Sequence, residues 1–373
     1  MRLLWPGAFA FFLSFYLLLS ALPLYARAAG VSDRALGFII GAFALASMLV
    51  KPWAGWAADR FGRRPLMLAG ASIFLAASLA YSLSGTAVAL LLTRLLHGSG
   101  MGLYPTAASA VVTDLAPPER RGELLGFFGA AANVAMAIGP LAGLAIAERL
   151  GFATLFGVAA GVALVAVLLS AAVGETLQDR RHIPFGVSAT LSRSAMFPSL
   201  IVLFLMLTYG AQVSFLPLYA HAHGVNPGLF FLVFALVVAV VRGRAGRLSD
   251  RLGRVPVTVG GLSLAALALL TLAVRQDLVG LAAAGALYGV GFGSAQPALM
   301  AWAVDSVERH DRGRAMGTYY TALELGIAIG AVGSGLAVGV VGFAGTFATA
   351  ALMAAVGAGL ALGGTLRHGR RRA

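Results

Sequence analysis

Long apolar runs separated by short polar breaks fill the chain from its first residues almost to its last. About 20 apolar residues, rising 1.5 Å each as a helix, cross a hydrocarbon core roughly 30 Å thick. Windows of that length fall at 4–26, 35–57, 66–84, 86–113, 123–147 and 151–173. After a polar stretch from Glu175 to Arg193 they return at 196–220, 227–246, 256–274, 278–304, 314–340 and 343–365. The pattern predicts an all-α membrane protein of twelve transmembrane helices. It divides into a six-helix bundle over 1–174, a cytoplasmic linker over 175–195, and a second six-helix bundle with a basic tail over 196–373.

The polar breaks carry a repeat. "GWAADRFGRR", Gly55 to Arg64, is echoed by "GRLSDRLGR", Gly246 to Arg254, at an offset of 250 − 59 = 191 positions between the two Asp residues. The same offset pairs Lys51 with Arg242, Asp114 with Asp305, Gly139 with Gly330, and Gly98, Gly100 and Gly102 with Gly289, Gly291 and Gly293. The two bundles therefore read as a tandem duplication with pseudo-symmetric halves. The first span is read as a helix rather than a cleaved leader, because its end, "LPLYA" at Leu22 to Ala26, has a twin at Leu216 to Ala220.

Composition agrees with the membrane reading. The chain is 60% hydrophobic and 11% charged, against about 25% charged in soluble domains. Glycine supplies 48 of 373 residues, as suits helices that approach closely through small side chains and not a β-barrel. The net charge of +13 lies in single Arg residues and short clusters with no continuous basic face, which excludes a nucleic-acid partner and points to topology. With both termini cytoplasmic, only Arg27, Arg34, Arg149 and Arg275 fall outside, and Lys51 and Arg94 stay within spans. The tail "RHGRRRA" then sits near anionic lipid. The chain has no cysteine, so disulfides and thiol chemistry are excluded. No nucleotide loop, zinc-binding His-Glu motif or Gly-x-Ser-x-Gly elbow stands in a suitable context, so no enzyme activity, metal or cofactor is expected.

Two six-helix halves joined by a polar linker suit a transporter that rocks around a midplane site. "GWAADRFGRR" resembles the loop 2–3 signature of the major facilitator superfamily, with a weaker copy in loop 8–9. "RLLHGSG", Arg94 to Gly100, is similar to its fourth-helix signature, and "GPLAG", Gly139 to Gly143, to the fifth-helix motif of its antiporters. The resemblance covers nearly all twelve spans. It implies a proton-driven exporter of small amphipathic molecules, similar to the drug-proton antiporter branch, acting as a monomer in a bacterial inner membrane. The alternative is a proton symporter or facilitator of a sugar, metabolite or metallophore on the same fold.

The resemblance also implies roles. Gly55 lets helix two approach a neighbour, Asp59 accepts from the positive N-terminus of helix eleven across the halves, and Arg60, Arg63 and Arg64 beside Gly62 pair with carboxylates such as Asp114. Together they form a latch, and Gly246, Asp250, Arg251 and Arg254 form its copy. Pro140, with Gly139 and Gly143, is expected to break and kink helix five, since proline lacks a donor.

A charge inside a span costs ~2.5–3.5 kcal/mol on insertion scales, so each one is a functional hypothesis. Glu324 lies ten residues beyond Arg314, about 15 Å deep. A carboxyl removed from water holds its proton more readily, which suits a carrier that binds and releases protons. The offset places Asn133 opposite it, facing the central cavity. Arg94 is the second coupling residue, and Asp33, in the first outer loop, is a proton entry point. Tyr16, His97, Tyr209, Gln212 and Gln296 are the polar groups expected to meet a substrate in an otherwise apolar cavity.

Overall fold

The computed structural model describes residues 2–117, 120–177, 191–308 and 311–369. Their only regular structure is helical: α1 (Leu4–Leu19), α2 (Ala21–Ala28), α3 (Asp33–Phe61), α4 (Arg63–Tyr81), α5 (Ala87–Leu115), α6 (Arg121–Ala172), α7 (Met196–Ala222), α8 (Gly228–Leu252), α9 (Arg254–Val274), α10 (Leu278–Asp305) and α11 (Arg312–Gly369). Most of the linker expected over 175–195, and the tail from Arg370, lie outside the described residues.

Among the described residues eight helices are long and apolar enough to cross a membrane, or nine if α1 and α2, bent by 42°, count as one span. α5 has the length but falls short in apolarity, because Arg94, His97 and its glycines dilute it. α6 and α11 each run past 50 residues and contain one non-helical position, Gly151 at φ 85° and Gly342 at φ 69°. Positive φ is open to glycine at little steric cost, so both long helices turn at residues that permit it. Pro140 leaves α6 unbroken, contrary to the sequence expectation, since Gly151 is its sole non-helical residue. One lost hydrogen bond is tolerated where a neighbour packs closely: a Cβ at Gly139 would overlap Tyr16, and one at Gly143 the Leu17 carbonyl oxygen.

The chain forms two compact units, Met1–Val187 and Ser188–Ala373. In the first, α1 packs along α6, and α5 lies against α3 and α4. In the second, α7 packs along α11, and α10 lies against α8 and α9. The scheme repeats because its contacts repeat. A Cβ at Gly143 would strike the α1 backbone, and one at Gly330 would strike the Leu207 carbonyl of α7 in the same way. Lipid offers no hydrophobic gain for helix pairing, so such backbone approach and dense side-chain packing hold each unit together internally. The first core stacks Phe11 between Phe74 and Tyr104, with ring centroids 3.9 and 4.0 Å away.

Candidate functional site

The turn between α3 and α4 shows what the repeated motif builds. Gly62, at φ 114°, reverses the chain between the helices. Arg63, first in α4, donates from Nη1 to Asp59 Oδ1 at 2.5 Å and from Nε to Asp114 Oδ2 at 3.3 Å. Its side chain is only 12% exposed. The Thr176 hydroxyl donates to the same Asp114 oxygen at 2.7 Å. Asp59, expected to meet helix eleven, is thus engaged by Arg63 within its own unit.

Glu175 completes this cluster and was missed as a site residue in the sequence. Its carboxylate accepts from the backbone N–H groups of Arg63 and Arg64 at 3.0 and 3.2 Å, and from those of Thr176 and Leu177 at 2.9 Å. It therefore caps the start of α4, where the N-cap residue, Gly62, has no side chain to do so. Partial burial pushes the Glu175 carboxyl up, yet the four backbone amides outweigh it and hold the group below its ordinary range. A Cβ on Gly62 would collide with this carboxylate, so the glycine serves both the turn and the cap.

Two of the expected pairings take other forms. Arg64 donates to the Ala171 carbonyl at 2.7 Å, and Arg60 lies 5.4 Å from the Trp56 ring centroid. Long cationic side chains at a helix end reach carbonyls and aromatic faces as readily as acids. Gly55 also departs from its expected role: no atom lies within 4 Å of a Cβ placed there, so no described neighbour approaches it.

The second unit repeats the core of the cluster. Gly253, at φ 91°, turns the chain into α9, and Arg254 donates to Asp250 at 2.5 Å and to Asp305 at 2.8 Å. Gly253, the N-cap residue of α9, has no side chain to cap it, and among the described residues no carboxylate accepts from the first α9 amides. Val255 stands where Arg64 does, and Leu366 where Glu175 does. Arg251 is exposed, and nothing lies close to a Cβ at Gly246.

Deeper in the first unit, Arg94 is 3% exposed, with its guanidinium 4.4 Å from the Phe43 ring centroid. Its Nε has no hydrogen-bond partner among the described residues. His97, one turn along α5, is fully buried with Nδ1 3.1 Å from the Tyr81 hydroxyl and Nε2 unpartnered among the described residues. Phe15, Phe43 and Phe74 surround that ring. His97 therefore sits in an aromatic box and not on an open cavity wall.

The remaining candidates lie on several helices of both units. Glu324 of α11 is 8% exposed and is the only buried carboxyl among the described residues. Asn133 and Tyr16 are half-buried, and Tyr209 is half-buried with its ring near Phe234 and Phe292. Gln212 is buried with Nε2 unpartnered among the described residues. Gln296, expected to meet substrate, instead accepts from Arg242 at 3.0 Å. Asp33 is not a loose loop residue: it opens α3 and pairs with Arg27.

Known proteins share the fold and the family of this chain. The family model of the Major Facilitator Superfamily matches residues 4–244 and 199–372. The chain belongs to this superfamily of membrane transporters, which is not an enzyme family. It is 23% identical over 367 residues to an uncharacterized MFS-type transporter of Methanocaldococcus jannaschii, covering 95% of each chain. It is 31% identical over 183 residues to Multidrug resistance protein 2 of Bacillus subtilis, covering 48% of this chain and 45% of that one. Its fold is similar to that of a POT family transporter solved with a thioalcohol-conjugated peptide, with a TM-score of 0.83, 15% identity, and coverage of 98% and 96%.

Proposed function

We propose that the protein exports small amphipathic molecules in exchange for protons, by alternating access in a bacterial inner membrane. The observation that carries this reading is Glu324, a buried carboxyl inside an apolar helix, where a charge is costly and a reversible proton is the natural counterpart. Similarity to a multidrug resistance protein and the "GPLAG" stretch support the export direction. In this reading the monomer crosses the membrane twelve times with both termini cytoplasmic. The count takes α1 and α2 as one crossing, includes α5, and divides α6 at Gly151 and α11 at Gly342. The bundles are 1–174 and 196–373, joined by 175–195.

Glu324 then carries the proton, Arg94 couples it to the conformational change, and Asp33 marks its entry. Asn133, Tyr16, His97, Tyr209, Gln212 and Gln296 face substrate in at least one state of the cycle. Asp59 leaves Arg63 for the positive N-terminus of helix eleven when the cytoplasmic side closes, a contact worth ~0.3–1 kcal/mol at a surface and up to about 2 when partly buried. Asp250, with Arg254, is the symmetric gate. The proton gradient is the energy source, and no cofactor takes part.

The test is a liposome holding the purified protein and a pH-sensitive dye, screened with amphipathic compounds, sugars and metabolites. Antiport makes the lumen more alkaline as a substrate enters. Acidification with entry would establish symport instead, and entry without a pH change would establish a facilitator.

A further inference from the structure

A groove of about 460 Å³ opens between α8, α9 and α10 of the second unit. Leu248 and Leu252 of α8 and Val257 and Leu264 of α9 wall it, and Arg244 is the one charged side chain lining it. Leu248 and Leu252 are exposed, so the groove opens towards surroundings that tolerate bare leucine, as hydrocarbon does. Arg244 is exposed too, and its Nη1 donates to the Val240 carbonyl one turn earlier in its own helix at 3.1 Å. No carboxylate among the described residues pairs with it. A guanidinium has five N–H donors, so most of them remain for an acceptor. Arg251 follows seven residues later, which returns to nearly the same helix face and sets a second cation beside the groove's end.

The duplication gives the cation and the bare glycine to this half alone. The offset of 191 places Trp53 at the position of Arg244, Ala69 at that of Gly260, and Phe61 at that of Leu252. Bulk and aromatic rings stand in the first unit where the second has a cation and a bare glycine. No described atom lies within 4 Å of a Cβ built on Gly260, so the glycine opens the groove and is not required by packing.

We infer that this groove binds one anionic phospholipid, with an acyl chain against Gly260 and the aliphatic walls and its phosphate on Arg244, supported by Arg251. Arginine matches phosphate with paired donors, and basic pockets between membrane helices take anionic headgroups. The apolar walls supply what a free phosphate would not use, so the occupant is a lipid.

The test is native mass spectrometry of the full chain titrated with phosphatidylglycerol or phosphatidylcholine. The wild type should retain one phosphatidylglycerol under activation that strips phosphatidylcholine. Gly260→Leu, which fills the groove, should weaken that retained adduct, and Arg244→Gln, which removes the charge, should weaken it about tenfold, the loss expected for one charge-assisted contact. A thermal midpoint close to wild type shows that the leucine has not disturbed folding; where it has, Arg244→Gln alone decides. Equal retention of both lipids, or unchanged phosphatidylglycerol retention in Arg244→Gln, overturns the proposal. Displacement of the lipid by an added transport substrate would also overturn it, by making the groove a substrate site.

Discussion

The two halves share a scaffold and differ in where they place charge. Each packs its first helix against its last through glycine against backbone, and each ties its loop with an Asp–Arg–Asp cluster, Asp59–Arg63–Asp114 and Asp250–Arg254–Asp305. Inside the helices the likeness ends. Arg94 corresponds to Gly285, and Glu324 to Asn133. The first unit buries a guanidinium, and the second buries a carboxyl. Duplication preserves what packing demands at both sites. In the proposed cycle one proton site suffices, and a second buried carboxyl would cost several kcal/mol.

The largest predicted effect tests that division directly. Glu324→Gln keeps the size and most hydrogen-bonding capacity while removing the titratable group. Accumulation of substrate driven by an imposed pH gradient should fall to the level of protein-free liposomes, while downhill exchange of substrate persists. Wild-type accumulation in the purified variant would remove Glu324 from the mechanism and leave Asp33, or a route through Arg94 and His97, as the proton path. Asn133→Asp added to Glu324→Gln sharpens the comparison: recovery of uphill transport would mean that depth alone matters and that the halves are interchangeable.

The loop clusters offer a second contrast. Arg63 is 12% exposed and Arg254 25%, and only the first cluster is backed by Glu175 and Thr176. Asp59→Asn should therefore reduce transport more than Asp250→Asn. Ion pairs whose carboxylate is exposed, as Asp59 and Asp250 are, are worth ~0.2–1 kcal/mol, so neither variant should lower the thermal midpoint by more than a few degrees. A large loss of transport with a small loss of stability in Asp59→Asn marks a gating role, whereas parallel losses mark a merely local one. Equal transport defects in the two variants would break the proposed inequality.

How far the sequence reveals this molecule depends on the kind of interaction. Helical class follows from the length of the apolar runs. The turns inside α6 and α11 lie at Gly151 and Gly342, beside the breaks read at 148–150 and 341–342. The Arg63–Asp114 pair is legible because motif and repeat both point to it. The bend after Leu19 is not, since Ser20 and its neighbours sit inside an uninterrupted apolar window. Arg242 with Gln296 is not legible either, because 54 positions separate them and only folding joins α8 to α10. Glu175 escapes for another reason. It bonds to backbone amides, which carry no side-chain code, and its counterpart is a leucine, so a search for repeated charges passes it by.

That missing counterpart gives the smallest predicted effect. The backbone amides of Arg63, Arg64, Thr176 and Leu177 hold the Glu175 pKa below its ordinary value, hence below that of the unfolded chain, so the carboxylate binds fewer protons when folded. Its stabilisation is fully present above the unfolded value of about 4.3 and is lost as pH falls through the lower folded value. Glu175→Gln keeps one carbonyl acceptor but turns an amide nitrogen towards one of the α4 donors. Replacing a cap costs ~0.5–2 kcal/mol, and solvent screening at this exposed site brings the expected loss at neutral pH to about 0.5 kcal/mol. Thermal unfolding followed from about pH 7 down to about pH 3 should show the wild type losing its advantage over the variant at the acidic end. Two curves that coincide across this range would show that the charge of Glu175 contributes nothing, and that the first loop is held as the second is, by its Asp–Arg–Asp cluster.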